Sequence, residues 1–122
     1  MALEFVAGDD LVFQLESGFG LMRVLAIEPH NADGAARSVW HILVYEDFYV
    51  DVESAEAALA AGAELAVRKP HLALTEHAFE KTPAARLGHR PVGERELAAY
   101  LAWKERGGEV FDRSVLLMLG LR

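Results

Sequence analysis

Two apolar stretches, Leu11–Glu16 and Leu21–Glu28, flank a small-residue turn, and an aromatic-rich run follows at Ser38–Val52. In the first, Leu11, Phe13 and Leu15 alternate with Val12, Gln14 and Glu16, the two-residue period of a strand with one wetter face. Ser17-Gly18-Phe19-Gly20 offers two glycines where a hairpin connection calls for positive φ. In the second strand Leu21, Leu25 and Ile27 share a face with Arg23, while Met22, Val24 and Ala26 make the other face apolar too. Such a strand belongs at the centre of a sheet, covered on both sides. Pro29–Arg37 reads as a loop with Asp33-Gly34 as its turn.

The third run places Trp40, Ile42, Val44, Phe48, Val50 and Val52 on one face, and His41, Tyr45, Asp47, Tyr49 and Asp51 on the other. Glu46 interrupts the apolar series. A β-bulge near Glu46-Asp47, a break between two strands, or an inward carboxylate would each account for it. The bulge or break is the expectation, because an unpaired inward carboxylate is costly.

After Glu53 the pattern changes. Ser54 reads as the N-cap of an alanine-rich helix, Ala55–Ala61, with Gly62 at its end. Glu64–Lys69 reads as a short strand. Thr75 and Thr82-Pro83 read as starts of brief helical turns. The longest helix runs from about Glu94 to Arg106, capped by Gly93 with Glu96 at its third position and stopped by Gly107-Gly108. Its face of Leu97, Tyr100, Leu101 and Trp103 is expected to pack on Phe13, Trp40, Ile42 and Val44. The expected fold is therefore α+β: a bent antiparallel sheet, SH3-like or a partial barrel, from the N-terminal half, packed by helices from the C-terminal half.

A chain of 122 residues fits one domain, residues 1–122, and can bury a core without disulfide or metal. There is no cysteine, which removes a disulfide framework, a thiolate metal site and a cysteine nucleophile. No basic, apolar leader opens the chain, and the run Val115–Leu119 is far shorter than a spanning helix needs, so the expected location is the cytoplasm. Net charge is −7 and unevenly spread: residues 1–60 carry eleven acids against Arg23 and Arg37, whereas residues 61–122 carry eight acids against ten bases. An acidic first half repels nucleic acid and anionic membrane. The mildly basic segment Arg68–Arg95 is expected to face the acidic sheet or water.

No motif specifies a reaction. The five histidines lack metal-ligand spacing, no G-x-S-x-G surrounds a serine, and Asn31-Ala32-Asp33-Gly34 lacks the closing acid of a calcium loop. Gly18-Phe19-Gly20 precedes a strand and cannot cradle a phosphate in the dinucleotide manner. No catalytic residue, metal or cofactor is assigned. The leading expectation is a non-enzymatic binding module whose acidic, aromatic face of Tyr45, Asp47, Tyr49, Asp51 and Glu53 engages a protein partner. The alternative is a small hydrolase or isomerase using Glu46 with His41 or Tyr45. A further reading makes a homodimer through Val115, Leu116, Leu117, Leu119 and Leu121.

Residues Gly8-Asp9-Asp10 through Gly20-Leu21-Met22-Arg23-Val24-Leu25 resemble the opening of an SH3-like immunity-protein group of bacterial toxin systems, family twenty-six. There a Gly-Asp entry leads into a strand, a glycine hairpin and a Gly-x-x-Arg-Val second strand. The resemblance covers about residues 8–25. It implies a toxin-neutralising protein that binds its partner and has no catalytic residues.

Overall fold

In the computed structural model, which describes residues 4–32 and 35–121, five strands form one bent, open antiparallel sheet flanked by helices, an α+β fold. The strands are β1 (Asp9–Leu15), β2 (Gly18–Ala32), β3 (Ala35–Tyr49), β4 (Val67–Thr75) and β5 (Ala84–His89), in the spatial order β4-β3-β2-β1-β5. Strands β4 and β5 are neighbours in sequence yet lie at opposite edges of the sheet. Helix α1 (Val52–Ala60) joins β3 to β4, α2 (Glu76–Glu80) joins β4 to β5, and α3 (Glu94–Glu105) and α4 (Val115–Leu119) follow.

The β2–β3 hairpin is longer than the sequence suggests. Pro29–Arg37 is not a loop: Pro29 pairs with Ser38 and Ala32 with Ala35, and the expected turn residues Asp33-Gly34 lie outside the described residues. Nor does the β1–β2 connection use its glycines for positive φ. Leu15 pairs with Gly18, which leaves Glu16-Ser17 as the turn, and neither Gly18 nor Gly20 has positive φ. Their value is the absence of a side chain. A Cβ on Gly20 would stand 2.5 Å from Cζ of buried Phe13, and one on Gly18 would stand 2.6 Å from the Tyr49 carbonyl oxygen.

Irregularities in register bend the sheet and decide which side chains face which way. Between the pairs Gly20↔Phe48 and Met22↔Val44, Leu21 alone opposes Tyr45, Glu46 and Asp47, so β3 bulges there and Glu46 is exposed. Between Val24↔Ile42 and Ala26↔His41, β2 carries the extra residue. Leu25 and Ala26 therefore join one core cluster and Ile27 the other, against the simple alternation that grouped Leu25 with Ile27. Pro70 sits in edge strand β4, where the missing N–H is tolerated, at a third irregularity between Lys69 and Leu72. On that edge Phe111 N–H donates to the Ala73 carbonyl and Thr75 N–H to the Phe111 carbonyl.

Both faces of the sheet are covered. One packs Leu11, Phe13, Leu15, Met22, Val24, Trp40, Ile42 and Val44 beneath α2 and α4, with Trp40 stacked on Phe79 at 4.3 Å. The other packs Val12, Leu21, Leu25, Leu43 and Tyr45 beneath α1 and α3. Leu97, Tyr100 and Trp103 cover this second face and not the Phe13–Trp40–Ile42–Val44 side, so Trp40 and Trp103 lie on opposite faces of the sheet. Leu101 remains exposed. Of the five residues of the expected dimer strip, Val115 is buried, Leu116, Leu119 and Leu121 are half-buried and pack on the first cluster, and Leu117 is exposed.

Capping follows local chemistry, with shifts from the expected positions. Helix α1 begins one turn earlier than expected, on Asp51, whose Oδ1 accepts from the Ser54 amide at 2.7 Å. Thr75 caps α2 as expected, whereas Thr82-Pro83 leads into β5 and starts no helix. Helix α3 has its expected bounds, and Glu96 Oε1 accepts from the Gly93 amide at 3.1 Å.

The two tight glycine approaches give a direct test. Gly20→Ala forces Phe13 off its seat and should destabilise the protein by about 1–3 kcal/mol in urea titration. Gly88→Ala, which meets nothing within 4 Å and needs no positive φ, should leave the midpoint close to the parent's.

Candidate functional site

Polar chemistry concentrates on the sheet face beneath α1 and α3, in two clusters at the two ends of α3. The first is built on Arg23 of central strand β2, whose neighbours on that face are Leu21 and Leu25; its side chain is completely buried. Nη1 donates to the Gly8 carbonyl at 2.8 Å and to Asp10 Oδ2 at 3.4 Å. Nη2 donates to the carbonyls of Arg90 and Pro91 at 2.9 and 3.2 Å, and to Glu96 Oε1 at 3.2 Å. Nε donates to Glu96 Oε2 at 2.5 Å. One guanidinium thus joins the entry turn, the segment before α3 and α3 itself. Burial raises the Glu96 carboxyl, but the Arg23 hydrogen bonds, the Gly93 amide and the charges of Arg23 and Arg90 outweigh it and hold Glu96 below its ordinary value.

Asp10 completes this cluster. Its Oδ1 accepts from the Tyr45 hydroxyl at 3.2 Å and its Oδ2 from Arg90 Nε at 3.4 Å, while Arg90 Nη2 donates to the Tyr45 oxygen at 3.3 Å. Burial, then the Asp10 charge, pushes the Tyr45 hydroxyl well above its ordinary range, so it stays protonated at neutral pH. Beside it Asp9, also buried, accepts from the Val6 amide, Arg86 and His89, all within 2.9 Å. Burial acts to raise the Asp9 carboxyl, and these three partners together bring it below its ordinary value. The basic segment therefore does face acids: Arg86 pairs with Asp9, Arg90 with Asp10 and Arg68 with Glu46.

The second cluster lies under the C-terminal half of α3. Completely buried His41 places Nε2 2.6 Å from Glu28 Oε1 and Nδ1 2.9 Å from Nε2 of His71 on β4. Tyr100 and Trp103 wall the pair, their ring centroids 4.5 and 4.7 Å from His41. Lys104 reaches Glu28 Oε2 at 3.1 Å. Burial lowers His41 below its ordinary value against the opposing pull of Glu28, and burial followed by the charges of His41 and Arg106 takes His71 down to about 4. Both rings are neutral at pH 7. Among the described residues no group of three or more histidines and acids is placed to hold a metal ion.

Several expected site residues are not where alternation put them. Tyr45 and His41 are buried, not on a wet face, and Tyr49 is half-buried. Asp47, Asp51 and Glu53 are exposed, with Asp51 engaged as the α1 cap. Glu46 does not meet His41 or Tyr45; it is exposed and lies 3.5 Å from Arg68 Nε, whereas His41 is held by Glu28. The proposed catalytic combination is thus not assembled. Sequence reasoning missed Arg23, Glu28, His71 and Glu96. The available signals were an arginine between leucines on a central strand, and Leu43, which lies midway between His41 and Tyr45 on a face read as wet.

The end of the sheet where β3 meets α1 differs in character. Phe48, Val50 and Val52 are exposed there, Val50 at 82 %, and Val67 of neighbouring β4 is exposed too. Arg68 lies over the Phe48 ring at 5.0 Å. Between this end and α3, a groove of about 750 Å3 is lined by Leu43, Tyr45, Leu59, Leu65, Val67 and Arg90 among others. No helix of the described residues is long and apolar enough to cross a membrane. Comparison with family models, with curated proteins and with solved structures yields no match.

The Arg23 cluster should behave as one unit. Arg23→Met leaves Glu96 and Asp10 without their buried partner and should cost about 3–5 kcal/mol in urea titration. Arg23→Lys should recover only part of that loss, because an ammonium cannot serve carbonyls and carboxylate in one planar fork.

Proposed function

We propose that this chain is a non-enzymatic binding module that docks a cationic, partly apolar protein surface through the β3–α1 end of its sheet. The observation that carries the reading is the grouping of exposed apolar side chains beside uncompensated acids. Phe48, Val50, Val52 and Val67 are four of the seven large apolar residues exposed in the described chain. Residues 46–56 hold Glu46, Asp47, Asp51, Glu53 and Glu56 and no base. Arg68 answers Glu46; among the described residues no ion pair engages Asp47, Glu53 or Glu56. An apolar patch whose rim is mainly acidic, apart from Arg68 over Phe48, suits a partner of the opposite sign, and carboxylates at the rim speed and orient the encounter. The expected surface is thus revised. Asp47, Asp51 and Glu53 stay in it, Phe48, Val50 and Val52 enter, and Tyr45 leaves for the interior.

The particular form of binding that the likeness of residues 8–25 implies is toxin neutralisation, and we carry it as the finer reading. The order β4-β3-β2-β1-β5, a meander with the last strand returning beside the first, suits an SH3-like sheet. Gly8, Asp10 and Arg23, which carry the likeness, serve the buried cluster, so the likeness bears on the scaffold more than on the docking surface. A basic toxin is the partner class that the acidic end favours; nucleic acid and anionic membrane are disfavoured by the same charge.

Affinity capture from cell extract with quantified proteins tests this reading. Val50→Asp and the triple reversal Asp47→Lys/Glu53→Lys/Glu56→Lys avoid the α1 cap and should keep the parent's melting temperature. Proteins specific to the parent should be retained at least about tenfold less by both variants, the equivalent of 1.4 kcal/mol. Raised salt should weaken their retention by the parent. The same retained set with parent and both variants would overturn the reading.

A further inference from the structure

The His41–His71 pair has a geometry that no packing requirement explains. The rings are within 16° of coplanar, their centroids are 5.1 Å apart, and the facing nitrogens are 2.9 Å apart. Two stacked rings cannot bring nitrogens that close. The centroid distance is that of the N···N line plus the two ring radii, so the rings meet edge to edge. Such a line holds one proton. It leaves no space for a metal ion, whose bond to each imidazole nitrogen is about 2.0–2.1 Å.

The half-buried Glu28 carboxylate then fixes the tautomers. Glu28 accepts from His41 Nε2–H, so His41 Nδ1 carries the lone pair and accepts from His71 Nε2–H, and the bare lone pair of His71 is on Nδ1. The closed row can take one proton, at that Nδ1. A second would put N–H groups on both facing nitrogens and break the bond between them. Once α3 lifts away, the burial that holds both rings down is relieved, while Glu28 on β2 still favours the charged form of His41, so both rings take up protons nearer the ordinary imidazole value of about 6.5. The open form therefore binds more protons than the closed one.

The surroundings make the closed row resist even its first proton. Lys104 and Arg106 stand beside it as permanent cations, Tyr100 is neutral throughout, and Glu28 on β2 is the only acid that faces it among the described residues. The depressed position of His71, about 4, follows from burial first and then from the charges of His41 and Arg106, against the opposing pull of Glu28. Glu28 itself lies below its ordinary value, so its own protonation adds only at lower pH.

We propose that the Glu28–His41–His71 row is an acid-sensitive latch for the C-terminal half of α3, closed while both histidines are neutral beside the ionised Glu28 and released by proton uptake onto both histidines. The first turn of α3 stays anchored, because Arg23 and Glu96 keep their charges through the same range. What lifts is the segment from Tyr100 to about Glu109, whose carbonyl accepts from Trp103 Nε1 at 2.9 Å. The sign follows from linkage: both histidines lie below their unfolded value, so the stabilisation is complete above about pH 6.5 and falls as pH drops toward the folded value of His71.

Amide hydrogen exchange on the whole chain, between about pH 7 and 5 with intrinsic rates corrected, tests this. In the parent the opening constant of the Tyr100–Arg106 amides should rise by up to about 100-fold per pH unit below 6.5, reflecting two protons, while amides of β1, β2 and β3 show no such rise. His71→Gln keeps a donor near the Nε2 position and removes one titrating group; its slope should fall to about tenfold per unit. Nitrogen-15 spectra of the parent at pH 7 should show both histidines as the Nε2–H tautomer. An α3 opening constant independent of pH, an unchanged slope in His71→Gln, or an Nδ1–H tautomer at His41 would overturn the latch. If His71→Gln does not fold, the parent's slope and tautomers decide alone.

Discussion

The fold depends on a single charge placed where no water reaches it. Arg23 lies on the central strand of a sheet covered on both sides, and its guanidinium could not stay there unless its N–H groups were answered. They are answered by groups distant in sequence: the Gly8 carbonyl, the Arg90 and Pro91 carbonyls, Asp10 and Glu96. The consequence reaches beyond one residue. Helix α3 cannot slide or turn on the sheet without separating Glu96 from Arg23, and β5 is tied to β1 where Arg90 N–H donates to the Gly8 carbonyl. A buried, geometrically demanding charge of this kind contributes less to net stability than to choosing one arrangement among similar packings. The bland apolar faces of β2 would accept several helix placements; the guanidinium accepts one.

Covering both faces also decides where function can reside. Helices α2 and α4 close one side and α1 and α3 the other, so the residues left outside are the strand ends, the turns and the outer helix faces. Of these, among the described residues, only the β3–α1 end combines exposed apolar side chains with a run of acids. That combination arises from the β3 bulge. It inserts two residues opposite Leu21, so the alternation is kept, with Tyr49 on the face of Tyr45, and Phe48 beyond it stands at the surface. The same irregularity that ends the core thus begins the docking surface.

Much of the scaffold was legible from residues alone. The three strands of the first half, the central and doubly covered β2, the α3 bounds and its Gly93–Glu96 start all follow from alternation and capping chemistry. What local pattern could not supply was pairing. The short strand expected at Glu64–Lys69 ended before Pro70, yet at a sheet edge a missing N–H is tolerated, and β4 runs through it from Val67 to Thr75. The face of His41 and Tyr45 looked wet because both side chains carry polar atoms. Their partners, Glu28, His71, Asp10 and Arg90, come from other strands and from the segment before α3. No window of sequence contains them together. Likewise Leu97, Tyr100 and Trp103 identified a packing face without saying which side of a two-sided sheet would receive it.

The two polar clusters under α3 solve one problem by opposite means, and this gives the helix two different ends. Both bury polar groups against the sheet and both use a carboxylate, Glu96 or Glu28. At the first end the partner is a guanidinium whose charge does not change across any physiological pH. At the second it is an imidazole pair, His41 buried and His71 half-buried, that sits under the helix in its neutral form. The first contact is indifferent to acid until Glu96 itself protonates, below the ordinary carboxylate range. The second weakens as soon as the released histidines would be charged. A helix fixed in this way at one end and conditionally at the other must respond to acid by hinging, not by leaving. Glu96, one turn into α3, is the point about which it would turn.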